Sequence, residues 1–192
     1  MEPNVDLWPW FAIHVRSKQE WMVSHALRGQ GYDEFLPFLR VTRTWSDRTK
    51  QLEEPLFPGY LFCRLNFEER LPVMKIPGVV SIVGCGNAPF PVSQREVEAI
   101  QTVVRSGLPL SRWSDTVAGT PVEIEAGPLV GVRGTLVEFK SQHRLIVSVT
   151  ILRRNVAVEI DASTARPLSQ SAYPTLRPRT PLAIPRAGEQ RS

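Results

Sequence analysis

Glu54-Pro55-Leu56-Phe57-Pro58-Gly59-Tyr60-Leu61-Phe62 is the stretch whose reading decides the fold of this 192-residue chain. Its crowding of aliphatic and aromatic side chains predicts a buried strand from Leu56 to Leu65, broken at Pro58-Gly59. Proline fixes its own φ and glycine admits positive φ, so the pair marks an interruption rather than a continuous ladder. Side chains alternate along a strand, so Phe57 and Phe62 share a face only if that interruption breaks the alternation. At least one of the two is expected in the core.

Upstream, Trp10-Phe11-Ala12-Ile13-His14-Val15-Arg16 reads as a strand with apolar side chains on both faces. Ser17 is expected to start a helix, with Glu20 three positions on completing a capping box. Met22, Val23, Ala26 and Leu27 fall on one face of that helix, and Gly29 or Gly31 stops it. Phe35 to Phe38 begins a second extended stretch. From Arg40 to Lys50 the basic sequence RVTRTWSDRTK predicts a hairpin arm that turns at Ser46-Asp47 and projects into solvent.

Downstream, Glu68 to Ile76 predicts a short helix containing Pro72, and Val79 to Val83 another strand. Ser93 and Glu96 are spaced as a second capping box, opening a helix with Val97, Ile100 and Val104 on one face. This order predicts an α+β domain over 10–107, with helices packed on one side of a sheet. Residues 1–9 form an N-terminal extension. Residues 108–118 carry no periodicity and read as a linker. From 119 to 168 the pattern is all-β: short alternating runs at Val122/Ile124, Leu136/Val137/Phe139, Leu145/Val147/Val149 and Val156/Val158/Ile160 predict a small barrel. Gly127, Gly131 and Gly134 stand where a turn or a close backbone approach is needed. The tail, 169–192, is rich in Pro and Arg without apolar periodicity, a composition expected to stay disordered.

Composition narrows the function. A hydrophobic fraction of 42% and a charged fraction of 22% suit a folded protein, and the net charge of +4 permits an acidic partner without requiring one. No run approaches the ~20 apolar residues of a membrane span. The two cysteines, Cys63 and Cys85, have no ligand spacing, which suits a reduced cytoplasmic setting. His14, His25 and His143 show no metal-ligand spacing, and Glu53-Glu54 and Glu68-Glu69 are adjacent pairs that point apart. No enzyme, metal or cofactor is expected, and the chain is expected to be monomeric.

The stretch at Glu54–Phe62 resembles the signature strand of the NusG N-terminal (NGN) domain. Glu125-Ala126-Gly127-Pro128-Leu129-Val130-Gly131-Val132-Arg133-Gly134-Thr135 resembles a KOW motif with its pivotal glycine at Gly134. Trp10-Phe11-Ala12-Ile13, Pro77-Gly78-Val79-Val80, Glu96-Val97-Glu98-Ala99-Ile100, Val147-Ser148-Val149 and Val156-Ala157-Val158-Glu159 match in order. Leu36-Pro37, Thr44-Trp45-Ser46-Asp47-Arg48 and Glu54–Pro58 are most similar to the specialised UpxY and RfaH-like antiterminator paralogs.

The resemblance implies an NGN domain, a flexible linker and an SH3-like KOW barrel. It also implies a transcription elongation or antitermination factor acting through RNA polymerase. Phe57, Tyr60, Phe62 and His14 would meet the clamp helices of the largest subunit, and Arg70 and Leu71 the second-largest subunit. Arg40, Arg43, Trp45, Arg48 and Lys50 would approach non-template DNA. Ile151 and Leu152 occupy the KOW loop that takes a small-subunit ribosomal protein or Rho; Leu152-Arg153 replaces the usual Phe-Gly there and weakens the case for Rho. The alternating β-branched residues favour a barrel that does not refold into helices. A ribosome-associated or RNA-binding KOW protein is the rival reading.

Overall fold

The computed structural model describes residues 8–168, apart from 45–48, 86–87, 115–117 and 140–141. The terminal segments 1–7 and 169–192 therefore lie outside the described residues, as do Trp45, Arg48 and the expected Ser46-Asp47 turn.

The first sheet is built around strand β1, Trp10–Val15. Strand β5, Tyr60–Arg64, pairs antiparallel with one edge of β1, bringing His14 opposite Tyr60 and Ala12 opposite Phe62. The short strand β2, Glu34–Phe35, adds to the outer edge of β5. The other edge of β1 is shared by β6, Val79–Ile82, and β9, Pro91–Val92. Strands β3, Phe38–Thr44, and β4, Thr49–Pro55, form a separate two-stranded hairpin. Gly84–Cys85 and Ala88–Pro89 make a smaller one, β7 and β8.

Helices cover both faces of this sheet, not one as expected. Phe11, Ile13 and Val15 of β1 pack with Val23 and Leu27 of helix α1, Glu20–Gly29, and with Val73 of helix α2, Leu71–Met74. Trp10 and Ala12 point the other way and pack with Val97, Ile100 and Val103 of helix α3, Gln94–Arg105. The cause lies in β1 itself, which is apolar at both alternations and needs cover on each side. Leu56 and Phe57 close over the α3 side.

Neither expected capping box forms. Lys18 adopts left-handed backbone, φ 65°, which stops a helix from running through it, so α1 starts at Glu20 instead of Ser17. Ser93 stands at the N-cap of α3 without a side-chain cap bond. Both glutamates reach other partners. On α3 Val103 joins Val97 and Ile100 as deeply buried, whereas Val104 is half-buried.

The second sheet is antiparallel throughout. Its order is β10, β14, β13, β12, β11, β15, with β10 Leu110–Trp113, β11 Thr120–Ile124, β12 Arg133–Phe139, β13 Gln142–Val149, β14 Arg154–Glu159 and β15 Ala165–Pro167. The segment read as a linker thus supplies a strand: Leu110 to Trp113 pair with Val158 to Asn155. Four residues are too few to show a period, and their strand character comes from the ladder they join.

Gly134 fits a close approach, not a turn. A Cβ there would stand 2.5 Å from the Ile146 carbonyl oxygen and 2.9 Å from Leu145 Cδ1. Backbone cannot yield as a flexible side chain can, so Gly134→Ala is expected to cost ~1–3 kcal/mol by overpacking the β12–β13 pair. A lowered urea midpoint at unchanged m-value would register it, and an unchanged midpoint would refute it.

Candidate functional site

The Phe57-Pro58-Gly59-Tyr60 segment is a tight turn. Tyr60 N–H donates to the Phe57 carbonyl at 3.0 Å, and Gly59 has φ 82°. Proline second and a positive-φ glycine third is the sequence logic of a type II β-turn. The turn is tied to the β1–α1 junction from both sides of Gly59. Its carbonyl accepts from Val15 N–H at 2.8 Å, and its own N–H donates to Glu20 Oε1 at 2.8 Å. Glu20 is 4% exposed.

Beyond the turn, Tyr60 lies opposite His14, and their rings stack with centroids 5.1 Å apart and planes 26° off parallel. Both are half-buried. Phe57 and Phe62 are not surface residues: they are 2% and 1% exposed and meet edge-on at 5.8 Å. Phe35 stacks on Phe62 at 6.1 Å. The expectation that Phe57 and Phe62 present rings to a partner is therefore corrected, because the turn folds Phe57 back over the sheet. The exposed aromatic edge narrows to Tyr60 and His14.

The remaining expected residues are dispersed. Arg40 is exposed on the hairpin, its guanidinium 3.7 Å from Glu53, and Lys50 is exposed on the opposite strand. Such a surface pair contributes little to stability. The side chains of Arg43 and Ile151 fall outside the described part. Arg70 is half-buried over the Phe67 ring, 4.3 Å from its centroid, whereas Leu71 is 63% exposed. Leu152 is half-buried against the second sheet's core, and Arg153 turns the chain with φ 49°.

Three contacts escaped the sequence reading. The first is Glu20 to Gly59. In the second, Arg112 of β10 reaches back to the root of the signature segment, donating to the carbonyls of Leu56 at 3.1 Å and Pro55 at 2.6 Å beside the Glu54 carboxylate at 3.4 Å. In the third, Glu96 of α3 accepts from Thr150 Oγ1 at 2.6 Å and Thr150 N–H at 3.4 Å. The last two fasten the second sheet to the first module. No local pattern signals them, since the partners are 54 or more residues apart.

Cys63 sits fully buried in β5, and burial, with the nearby Asp33 and Glu34 carboxylates adding to it, pushes its thiol up to about 12. It stays a thiol at neutral pH, and reactivity belongs to the thiolate.

Fold and site together define a protein of two joined modules, one α+β and one all-β, whose signature segment forms a fixed aromatic turn. The family model described as "Transcription termination factor nusG" matches residues 9–101, so the amino-terminal module is similar to that family. Two curated relatives, each named transcription termination/antitermination protein NusG, extend the similarity. The Thermus thermophilus protein is 28% identical over 177 residues, covering 80% of this chain and 95% of that protein. The Chlamydia pneumoniae protein is 29% identical over 168 residues, covering 80% and 91%. A solved structure described as "Domain interaction in Thermotoga maritima NusG" shares the fold, with a TM-score of 0.51 at 24% identity. It covers 86% of this chain and all of that one. Both relatives are named for transcription termination and antitermination.

Two outcomes test this description. Native protein treated with iodoacetamide at pH 7.5 should leave Cys63 unmodified by peptide mapping, and rapid native modification would contradict its burial. Arg112→Ala should speed amide hydrogen exchange in 110–113 and at Leu56, while exchange in β1 and β5 stays as in the wild type; an unchanged pattern would show that Arg112 does not fasten the modules.

Proposed function

We propose that this chain binds transcribing RNA polymerase through its amino-terminal module and suppresses pausing or termination, in the manner of the specialised UpxY/RfaH-like paralogs at selected operons. The observation that carries this reading is the Tyr60–His14 pair, half-buried and held at the end of the sheet by a fixed turn. A tyrosine presents a large amphipathic surface with few rotors to freeze, which is why the residue type recurs at binding hot spots.

In this reading Tyr60 and His14 meet the clamp helices of the largest subunit, and Arg70 and Leu71 approach the second-largest subunit. A binder that bridges the cleft and prefers the closed clamp shifts the polymerase away from open or paused states. A preference of ~1–3 kcal/mol changes the populations several-fold to a hundredfold. The exposed Arg40 and Lys50 give the hairpin a basic character suited to non-template DNA, a contact expected to weaken with salt. The second sheet would act as the KOW module, an SH3-like barrel offering Leu152 to a small-subunit ribosomal protein or, less suited by its Leu152-Arg153 loop, to Rho.

Full-length chain and bacterial core RNA polymerase provide the test. Tyr60→Ala should weaken binding tenfold or more, as a loss of ~2 kcal/mol at a hot spot predicts, with the melting temperature within a few degrees of wild type. Equal binding by the variant would sink the proposed docking edge. Retained ribosome binding without any polymerase binding would favour the rival ribosomal role.

A further inference from the structure

We infer that Glu20 is a positioning residue for the docking edge: its buried carboxylate sets the orientation of the Pro58–Gly59 peptide and thereby the placement of Tyr60 against His14. The inference rests on the docking role proposed above for Tyr60.

The geometry points this way from three sides. First, the turn's internal hydrogen bond uses Tyr60 N–H and the Phe57 carbonyl, leaving Gly59 N–H to find an acceptor elsewhere. Glu20 Oε1, at 2.8 Å, is that acceptor. Second, glycine at the third position of a turn accepts either orientation of the peptide that precedes it. Types I and II differ by a flip of that peptide, which points Gly59 N–H to opposite sides. Proline before it is compatible with both. A positive-φ glycine after proline favours type II, and an acceptor on the side to which that peptide points its N–H holds it there. Third, Glu20 stands at the first position of α1, immediately after the turn that leaves β1. Only residues 16–19 separate the strand bearing His14 from the helix bearing Glu20. Val15 N–H to the Gly59 carbonyl, 2.8 Å, completes the clamp on the glycine.

A carboxylate 4% exposed carries a desolvation penalty that a surface acid avoids. A hydrogen bond from a backbone N–H to an ionised acceptor is among the stronger neutral-to-charged contacts, and it offsets part of that penalty. The position is thus costly for stability alone and useful for fixing a conformation. A Cβ placed on Gly59 would meet the Val15 carbonyl oxygen at 3.6 Å and His14 Cδ2 at 3.9 Å. The turn therefore lies against the aromatic pair itself.

The test is a cycle of variants of the full chain, read by affinity for core RNA polymerase and by the Gly59 amide proton in ¹H–¹⁵N spectra. Glu20→Gln keeps a side-chain oxygen that can accept from Gly59 N–H, whereas Glu20→Ala removes it. The expected pattern is at least fivefold weaker binding for Glu20→Ala and binding within about twofold of wild type for Glu20→Gln. In a Tyr60→Ala background, Glu20→Ala should have no further effect. The Gly59 amide proton should lie at low field in wild type and in Glu20→Gln, and move upfield in Glu20→Ala. Wild-type affinity for Glu20→Ala overturns the inference, as does Glu20→Gln binding as weakly as Glu20→Ala, or full additivity with Tyr60→Ala. If Glu20→Ala does not fold, Glu20→Gln alone decides: a low-field Gly59 amide with retained affinity supports positioning, and an upfield shift with retained affinity refutes it. Tyr60→Ala with wild-type affinity would instead remove the docking role while leaving the Gly59 amide response intact, so the two failures are told apart.

Discussion

Strand β1 carries apolar side chains on both of its faces, and neither face can be left to water. Burying a single Leu- or Phe-sized side chain contributes roughly 1.5–3 kcal/mol, so an uncovered face of three would forfeit much of a domain's net stability. Phe11, Ile13 and Val15 are covered by α1 and α2, and Trp10 and Ala12 by α3 with Leu56 and Phe57. That requirement places α3 opposite the other helices. It also brings the signature segment over the α3 side, where Phe57 is sealed and the chain must then turn sharply back into β5.

The second sheet extends the same side. The apolar cluster that begins with Trp10 and α3 continues without a break into Val147, Val149 and Val156 of the second module. Polar contacts fix the register of that junction. Arg112 ends on two backbone carbonyls and a carboxylate, and Glu96 ends on a threonine hydroxyl. Arginine suits the first task because its planar donors can serve several acceptors at once. The Arg112 side chain remains two-fifths exposed, so its charge adds less than its geometry does.

Much of this fold was legible in the sequence, and the exceptions share a physical cause. The strand at Trp10–Val15, helices α1 and α3, the hairpin arm and the all-β second half all follow from periodicity and turn residues, which are local signals. Ser17 and Glu20 had the spacing of a capping box, yet that spacing says nothing of whether a more demanding donor lies nearby. Gly59 N–H, 39 residues away, was such a donor. Leu110–Trp113 looked like a linker because a strand of four residues takes its identity from the ladder it joins. Within the candidate site, the alternation argument correctly required at least one of Phe57 and Phe62 to be interior. Both are, since the turn reverses the chain between them and carries Phe57 over the same side of the sheet that Phe62 faces.

The burial of Phe57 changes what a docking edge on this chain must be. A stable protein interface covers roughly 800 Å² on each partner, well beyond what one tyrosine and one histidine expose. A partner that engages Tyr60 therefore also rests on neighbouring surface, and the exposed Pro58 and the hairpin that ends at Pro55 are next in sequence. Surfaces of that kind bind selectively when a few anchors are held in place before contact, because freezing a loop during binding costs affinity. In this chain the anchor's order comes from a buried acid and a peptide N–H rather than from additional apolar packing. A methyl group can fill space around a turn, but it cannot distinguish one orientation of a peptide from the other.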